Sequence, residues 1–178
     1  MRINYWQTFY EEGFYHIYNR AIGNDLLFPQ DNNCQFFLEK WQEYLGSYLD
    51  TYAYCLMGNH FHFVIKVKSI DTVLIKTIQS ENTNAACHFL NRITTYNTFL
   101  EDQFKRFFSS YTLSFNKYYK RHGSLFQSRF KRIEISNHVK LLNTICYVHH
   151  NPIHHDISPF YEVWRYSSYK AFARSFLI

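Results

Sequence analysis

Several things are scarce in this chain, and each scarcity excludes something. The four cysteines, Cys34, Cys55, Cys87 and Cys146, are scattered, and no two form a C-x-x-C pair. That spacing argues against a zinc ribbon and a thioredoxin-like redox motif, and suits reduced thiols in a cytosolic protein. No run approaches the roughly 18 apolar residues of a membrane span. The first residues, MRINYWQTFYEEG, are acidic and aromatic and lack the apolar core of a signal peptide. Internal repeats, linkers and low-complexity segments are missing, as is H-E-x-x-H. The expectation is a cytoplasmic protein without membrane attachment. Its 178 residues are enough for one domain with a sizeable core, spanning 1–178, and short for two.

What is abundant is aromatic side chain. Phe (18) and Tyr (16) lift the aromatic share to 21%, within a globular balance of 47% hydrophobic and 19% charged residues. A core seldom needs so many phenols, so some tyrosines are expected to line a surface that stacks on a ligand. The net charge of +5 and the pI near 9.0 favour a polyanionic partner.

The pattern of apolar residues predicts the elements. Gly13 opens a strand over Phe14–Asn19, broken at Gly23-Asn24-Asp25. Phe37, Trp41, Tyr44, Leu45 and Tyr48 recur at three and four and predict an amphipathic helix over 33–48. A strand follows over 51–57, then a Gly58-Asn59 turn and a strand over 60–68. On that strand Phe61, Phe63, Ile65 and Val67 share one face; His60, His62, Val64 and Lys66 share the other. Residues 70 to 122 carry few turn signals and are expected to be mostly helical. One stretch runs over 71–80, and helical spacing resumes at Phe89, Leu90 and Ile93 and again from Phe108 to Tyr119. His122-Gly123 is the expected stop. A fourth strand is expected over 129–135. Ser136 or Asn137 then caps a helix through Val139, Leu142, Ile145 and Cys146 to Tyr147, ended by Pro152. The aromatic tail from 153 is expected to pack back on the domain. The order β-α-β-β-α-β-α is that of an α+β, ferredoxin-like (RRM-like) β-α-β-β-α-β sandwich. It would have an antiparallel sheet, a helical insertion and an additional C-terminal helix, with both histidines on a central strand.

Two imidazoles one pleat apart on one strand face can hold a divalent metal ion and leave coordination positions open. An ordinary strand would carry the same Phe between them. In the last helix Tyr147 and Asn151 stand four apart and share a face. Asn151 can supply a hard oxygen ligand, and His150 is a rival. Two nitrogens and one oxygen with free positions suit Mg²⁺ or Mn²⁺ on a phosphate. A phenol with a pKa near 10 is a poor nucleophile unless the charge developing on the phosphate is stabilised. Attack by Tyr147 would then conserve the bond energy in a covalent link, as strand transfer requires. The cluster His149-His150-Asn151-Pro152-Ile153-His154-His155 also allows a separate zinc site. Lys117, Lys120, Arg121, Arg129, Lys131 and Arg132, interleaved with aromatic residues, suit phosphates and stacked bases; a solvated helix end and an edge strand would look the same.

Five segments in order resemble one family. They are Tyr15-His16-Ile17-Tyr18-Asn19-Arg20, Met57-Gly58-Asn59-His60-Phe61-His62, the basic stretch from Arg121 to Lys131, Tyr147-Val148-His149-His150-Asn151-Pro152, and Trp164-Arg165-Tyr166-Ser167-Ser168-Tyr169. Together they resemble the HUH single-tyrosine transposases of the insertion-sequence-200-like group, in the REP-associated tyrosine transposase branch. Gly58 stands where that branch usually has Pro, and Asn151 where insertion-sequence relatives carry Gln. The resemblance implies that His60, His62 and Asn151 bind Mg²⁺ or Mn²⁺ and that Tyr147 is the catalytic nucleophile. It also implies a single-stranded DNA substrate with hairpin or inverted-repeat ends, and a 5′-phosphotyrosine intermediate. Arg20, in the first segment, joins the cations expected on DNA. The family contains homodimers and monomers. Two alternatives stand beside this expectation: a replication-initiator or relaxase-type nicking enzyme, and a non-catalytic RRM-like module that stacks bases.

Overall fold

The computed structural model describes residues 4–79 and 96–175. Among these described residues nine elements follow in order: β1 (Phe14–Arg20), α1 (Asp31–Leu45), β2 (Leu49–Met57), β3 (His60–Val67), α2 (Ile70–Gln79), α3 (Tyr96–Tyr119), β4 (Lys131–Glu134), α4 (His138–His154) and α5 (Tyr169–Arg174). The strands form one sheet in the order β2-β3-β1-β4, every neighbouring pair antiparallel. This is the expected ferredoxin-like α+β plan. The expected helical spacing at Phe89, Leu90 and Ile93, and Cys87, lie outside the described residues.

Strand alternation divides the sheet into two unlike faces. One carries Tyr15 and Ile17 from β1 and Phe61, Phe63, Ile65 and Val67 from β3, all fully buried. Against it lie α1 and α3, which bring Phe37, Trp41, Phe104, Phe107 and Tyr111. Trp41 stacks on Phe63 at 3.8 Å between ring centroids, and Phe37 meets Phe107 edge-on at 4.9 Å. Such ring pairs add about 0.5–1.5 kcal/mol each beyond their burial. Much of the aromatic excess is therefore core, and two of its fully buried phenols are bonded: Tyr111 donates to the Leu27 carbonyl at 2.7 Å and Tyr15 to that of Thr8 at 2.7 Å.

The other face carries His16 and Tyr18 from β1, His60, His62 and Val64 from β3, and Ala53, Cys55 and Met57 from β2. Helix α4 covers part of it through Ile145 and Val148, which form a small apolar cluster with Ala53, Cys55, Met57, Val64 and Ile135. Asn137 caps α4, its side chain accepting from the Lys140 amide at 2.9 Å. Val139, Leu142 and Cys146 are exposed, so the helix turns Ile145 and Val148 inward instead.

Pro152 does not end α4. It sits inside the helix, which runs on to His154. The ring costs only one amide donor near the end, and the Pro152 carbonyl is taken up by the amides of Ile157 and Ser158. Both sheet edges are covered. Residues 166–168 run beside β2, with Leu56 N–H donating to the Tyr166 carbonyl and Ser168 N–H to that of Tyr54. At the far edge the Arg132 amide donates to the Tyr5 carbonyl at 2.7 Å. Covering the edges removes templates for pairing with other chains.

Candidate active site

The histidines owe their position to the β2–β3 hairpin. Its turn is tied to the loop after β1: the amides of Leu27 and Phe28 both donate to the Gly58 carbonyl, and that of Ala21 to the Asn59 carbonyl. Immediately after the turn, His60 pairs across the sheet with Arg20 and His62 with Tyr18. Both rings face α4, as alternation requires.

Each ring has one nitrogen already engaged. His62 Nδ1 lies 2.9 Å from His16 Nε2, and His60 Nδ1 lies 2.7 Å from Asn59 Oδ1. Nδ1 is thus the bonded nitrogen of both, and Nε2 remains for a ligand. Burial keeps all three rings neutral. It lowers His60 to about 4, helped by His155 and Arg20, and His62 to about 2, helped by His16, His60 and His155. His16 falls to about 4 by burial alone. Neutral imidazole is the form that binds metal.

Helix α4 crosses above the pair. Tyr147 presents its ring edge to His62 at 5.6 Å and to His16 at 5.9 Å between centroids, and is 49% exposed. Two turns on, His155 meets His60 edge-on at 5.0 Å. Asn151 stands on the same stripe, one turn from each. It is 1% exposed. Its Nδ2 donates to the Tyr147 carbonyl at 2.7 Å, while Oδ1 is buried without a partner. A buried amide oxygen left unpaired is costly unless a ligand completes it. Among the described residues no three His, Cys, Asp or Glu side chains are placed to share an ion. The third donor on offer is therefore this amide, and the set of two imidazoles and one carbonyl oxygen fits a divalent cation. His150 turns away: it is exposed, with Nδ1 2.9 Å from the Tyr161 hydroxyl. His149 is buried with Nε2 2.8 Å from Ser168 Oγ, which fastens α4 to the segment beside β2.

Beside His60 opens a cavity of about 270 Å³, lined by Tyr18, Asn19, Arg20, Gln127, Lys131 and His155 among others. Arg20 and Lys131 are the two expected cations that join the site. The Lys131 ammonium lies 4.9 Å from the Tyr5 ring and 5.5 Å from the Tyr18 ring. The others lie elsewhere. Lys117 and Lys120 are exposed at the end of α3, the helix that packs on the opposite face of the sheet. Arg121 holds its own loop, bonding Asn116, Asp25 and the Ser124 carbonyl. Arg129 is exposed at the rim of a second cavity. Arg132 corrects the expectation most sharply. One residue past Lys131 on β4, its side chain turns to the other face, only 7% exposed, paired with Glu101 and lying over the Phe9 ring. It is a structural arginine. The residue that the sequence reasoning missed is His16, placed on the site face by the same alternation that buries Tyr15 and Ile17.

A scan against protein-family models and a search of curated proteins give no match. Among solved structures the chain is similar to one described as a REP-associated tyrosine transposase bound to a REP hairpin. The TM-score is 0.68 at 12% sequence identity, covering 98% of this chain and 87% of that one. This chain thus has the fold of a REP-associated tyrosine transposase over nearly its whole length.

Proposed function

We propose that this chain is a transposase that cleaves and rejoins single-stranded DNA, with Tyr147 as the nucleophile. The observation that carries the reading is one juxtaposition. A half-exposed phenol stands edge-on to His62 and His16, the neutral rings of His60 and His62 have spare Nε2 atoms, and one turn along the helix from the phenol is a buried amide oxygen with no partner. A purely structural site would be expected to use or solvate these groups. The solved protein of the same fold was bound to a hairpin, and hairpin-bearing single-stranded DNA is the substrate class proposed here.

His60, His62 and Asn151 would hold Mg²⁺ or Mn²⁺. A bound ion of this kind withdraws charge from the scissile phosphate and stabilises charge developing in the transition state. The residues of the chain do the rest. Tyr147 Oη attacks phosphorus, forming the phosphotyrosine bond as the bond to the 3′ oxygen breaks. The phenol proton passes, in net terms, to that oxygen, which leaves as a 3′ hydroxyl. Attack by another 3′ hydroxyl reverses the step and returns the proton to Tyr147. Arg20 and Lys131 neutralise the flanking phosphates. The His16 hydrogen bond fixes the orientation and tautomer of His62, as partners behind metal-binding imidazoles commonly do.

The test is an adduct assay with Mn²⁺ and a pool of randomised single-stranded hairpin oligonucleotides. Wild type is expected to yield a denaturant-resistant protein–DNA band. Tyr147→Phe is expected to bind DNA and yield none. An undiminished band from the Phe variant, or none from wild type with any member of the pool, contradicts the reading. The nicking-enzyme alternative shares this chemistry. The RRM-like binding module leaves the orphaned Asn151 oxygen and the spare Nε2 atoms without a purpose.

A further inference from the structure

A second cavity, about 750 Å³, lies between α3 and residues 123–130. Its wall is fixed. The Gln127 amide donates to the Arg20 carbonyl at 2.9 Å and the Ile22 amide to that of Leu125 at 3.0 Å, while Asn19 Nδ2 reaches the Gln127 carbonyl at 3.3 Å. The floor is aromatic: Phe108 meets Phe126 at 4.9 Å and Phe130 at 5.5 Å between centroids. Trp6, 49% exposed, stands at the rim.

Charge and position identify the occupant. Glu101, the acid lining the groove, is engaged by Arg132. Lys105 and Arg129 also line it and have no ion-pair partner among the described residues. The groove therefore presents net positive charge over an aromatic floor. It also adjoins the site: Asn19 and Gln127 line both this groove and the cavity beside His60, and stand between the two. A strand with a phosphate near His60 would have the groove as its nearest neighbouring cavity across these two residues.

We infer that the groove is a subsite for one or two unpaired bases of the DNA strand, next to the phosphate that Tyr147 attacks. The inference rests on the proposed function for the identity of the strand. A paired base has both faces stacked and its edge engaged, so an aromatic trough selects bases outside a duplex. Lys105 and Arg129 meet the backbone at the rim, and the rings below take the base planes. Bases held here would hold the scissile phosphate in register with Tyr147.

The test separates binding from cleavage. In a Tyr147→Phe background, where no adduct forms, fluorescence anisotropy reads the affinity for a randomised single-stranded 30-mer and for the same length of duplex. Ser109→Trp fills the groove from an exposed position of α3, and Lys105→Glu reverses a rim charge. Trp6→Ala, also exposed, removes the rim ring. Ser109→Trp and Trp6→Ala are each expected to weaken single-strand binding about 5-fold to about 150-fold, the range that one lost base–ring stack supports, and Lys105→Glu to weaken it through repulsion of the backbone. Duplex binding and Mn²⁺ binding by calorimetry are expected to stay within about 2-fold. The inference is overturned if all three variants bind the single strand like their parent, or if duplex binding falls equally. The adduct assay on the Tyr147-containing protein is scored separately. An adduct with unchanged groove variants sinks the groove alone; weakened groove variants with no adduct from wild type sink the nucleophile and leave the groove standing.

Discussion

The two faces of the sheet are built from the same strands, one residue out of step, and they do opposite things. On the α1–α3 face β1 and β3 bury Tyr15, Ile17, Phe61, Phe63, Ile65 and Val67, and rings interlock from Phe37 to Tyr111. On the α4 face His62 and Asn151 are buried and His16 and His60 half-buried in a setting that favours apolar groups, and one amide oxygen has no partner. The first face stabilises; the second gives up stability to keep its histidines neutral and its ligand atoms spare. Shifting a strand by one residue would exchange the two roles.

The comparison can be broken by finding chemistry on the first face or stability on the second. The largest expected effect is on the packed side. Phe63→Ala removes a fully buried ring stacked on Trp41 and should cost about 3–5 kcal/mol in denaturant unfolding. Folded Phe63→Ala should still bind Mn²⁺ as wild type does; a lost site would mean that the faces are not separable.

Next is acid. Unfolded histidine titrates near 6.5, while His16, His60 and His149 are held down to about 4 and His62 to about 2. Between pH 6.5 and 4 the unfolded chain binds more protons, so stability falls as pH falls through that window. From pH 6.5 to 5.5 the loss should be on the order of 1 kcal/mol per histidine kept neutral. Chemical denaturation of chelator-treated protein at pH 7.5, 6.5 and 5.5 measures it. A flat profile would mean that these rings are not held neutral.

The smallest effect sharpens the comparison most. His16→Phe keeps a ring but removes the acceptor for His62, and should weaken Mn²⁺ binding about 10- to 100-fold. His16→Gln restores an acceptor and should recover most of it. Equal losses in both variants would make His16 mere packing.

Much of this arrangement was legible in the sequence. The alternation around His60 and His62 predicted their shared face and central strand, and the four-residue spacing put Asn151 on the stripe of Tyr147. His16 was harder, because it lies on another strand and only the pairing register brings it to His62. The alternation of Tyr15 and Ile17 was nonetheless a signal for it. Arg132 was misassigned because a basic run does not say which of its members points inward, and in a strand as short as β4 one residue decides. The second cavity had no local signal, since its walls come from α3 and a segment that folds back on β1.

The most direct measurement is the location of the covalent bond. Protein trapped with single-stranded hairpin DNA and Mn²⁺ is digested with nuclease and protease, and the nucleotide-bearing peptide is sequenced by mass spectrometry. The account predicts one modified peptide, with the phosphate on Tyr147. A nucleotide on any other residue would contradict it, as would protein that cleaves the DNA with no modified peptide.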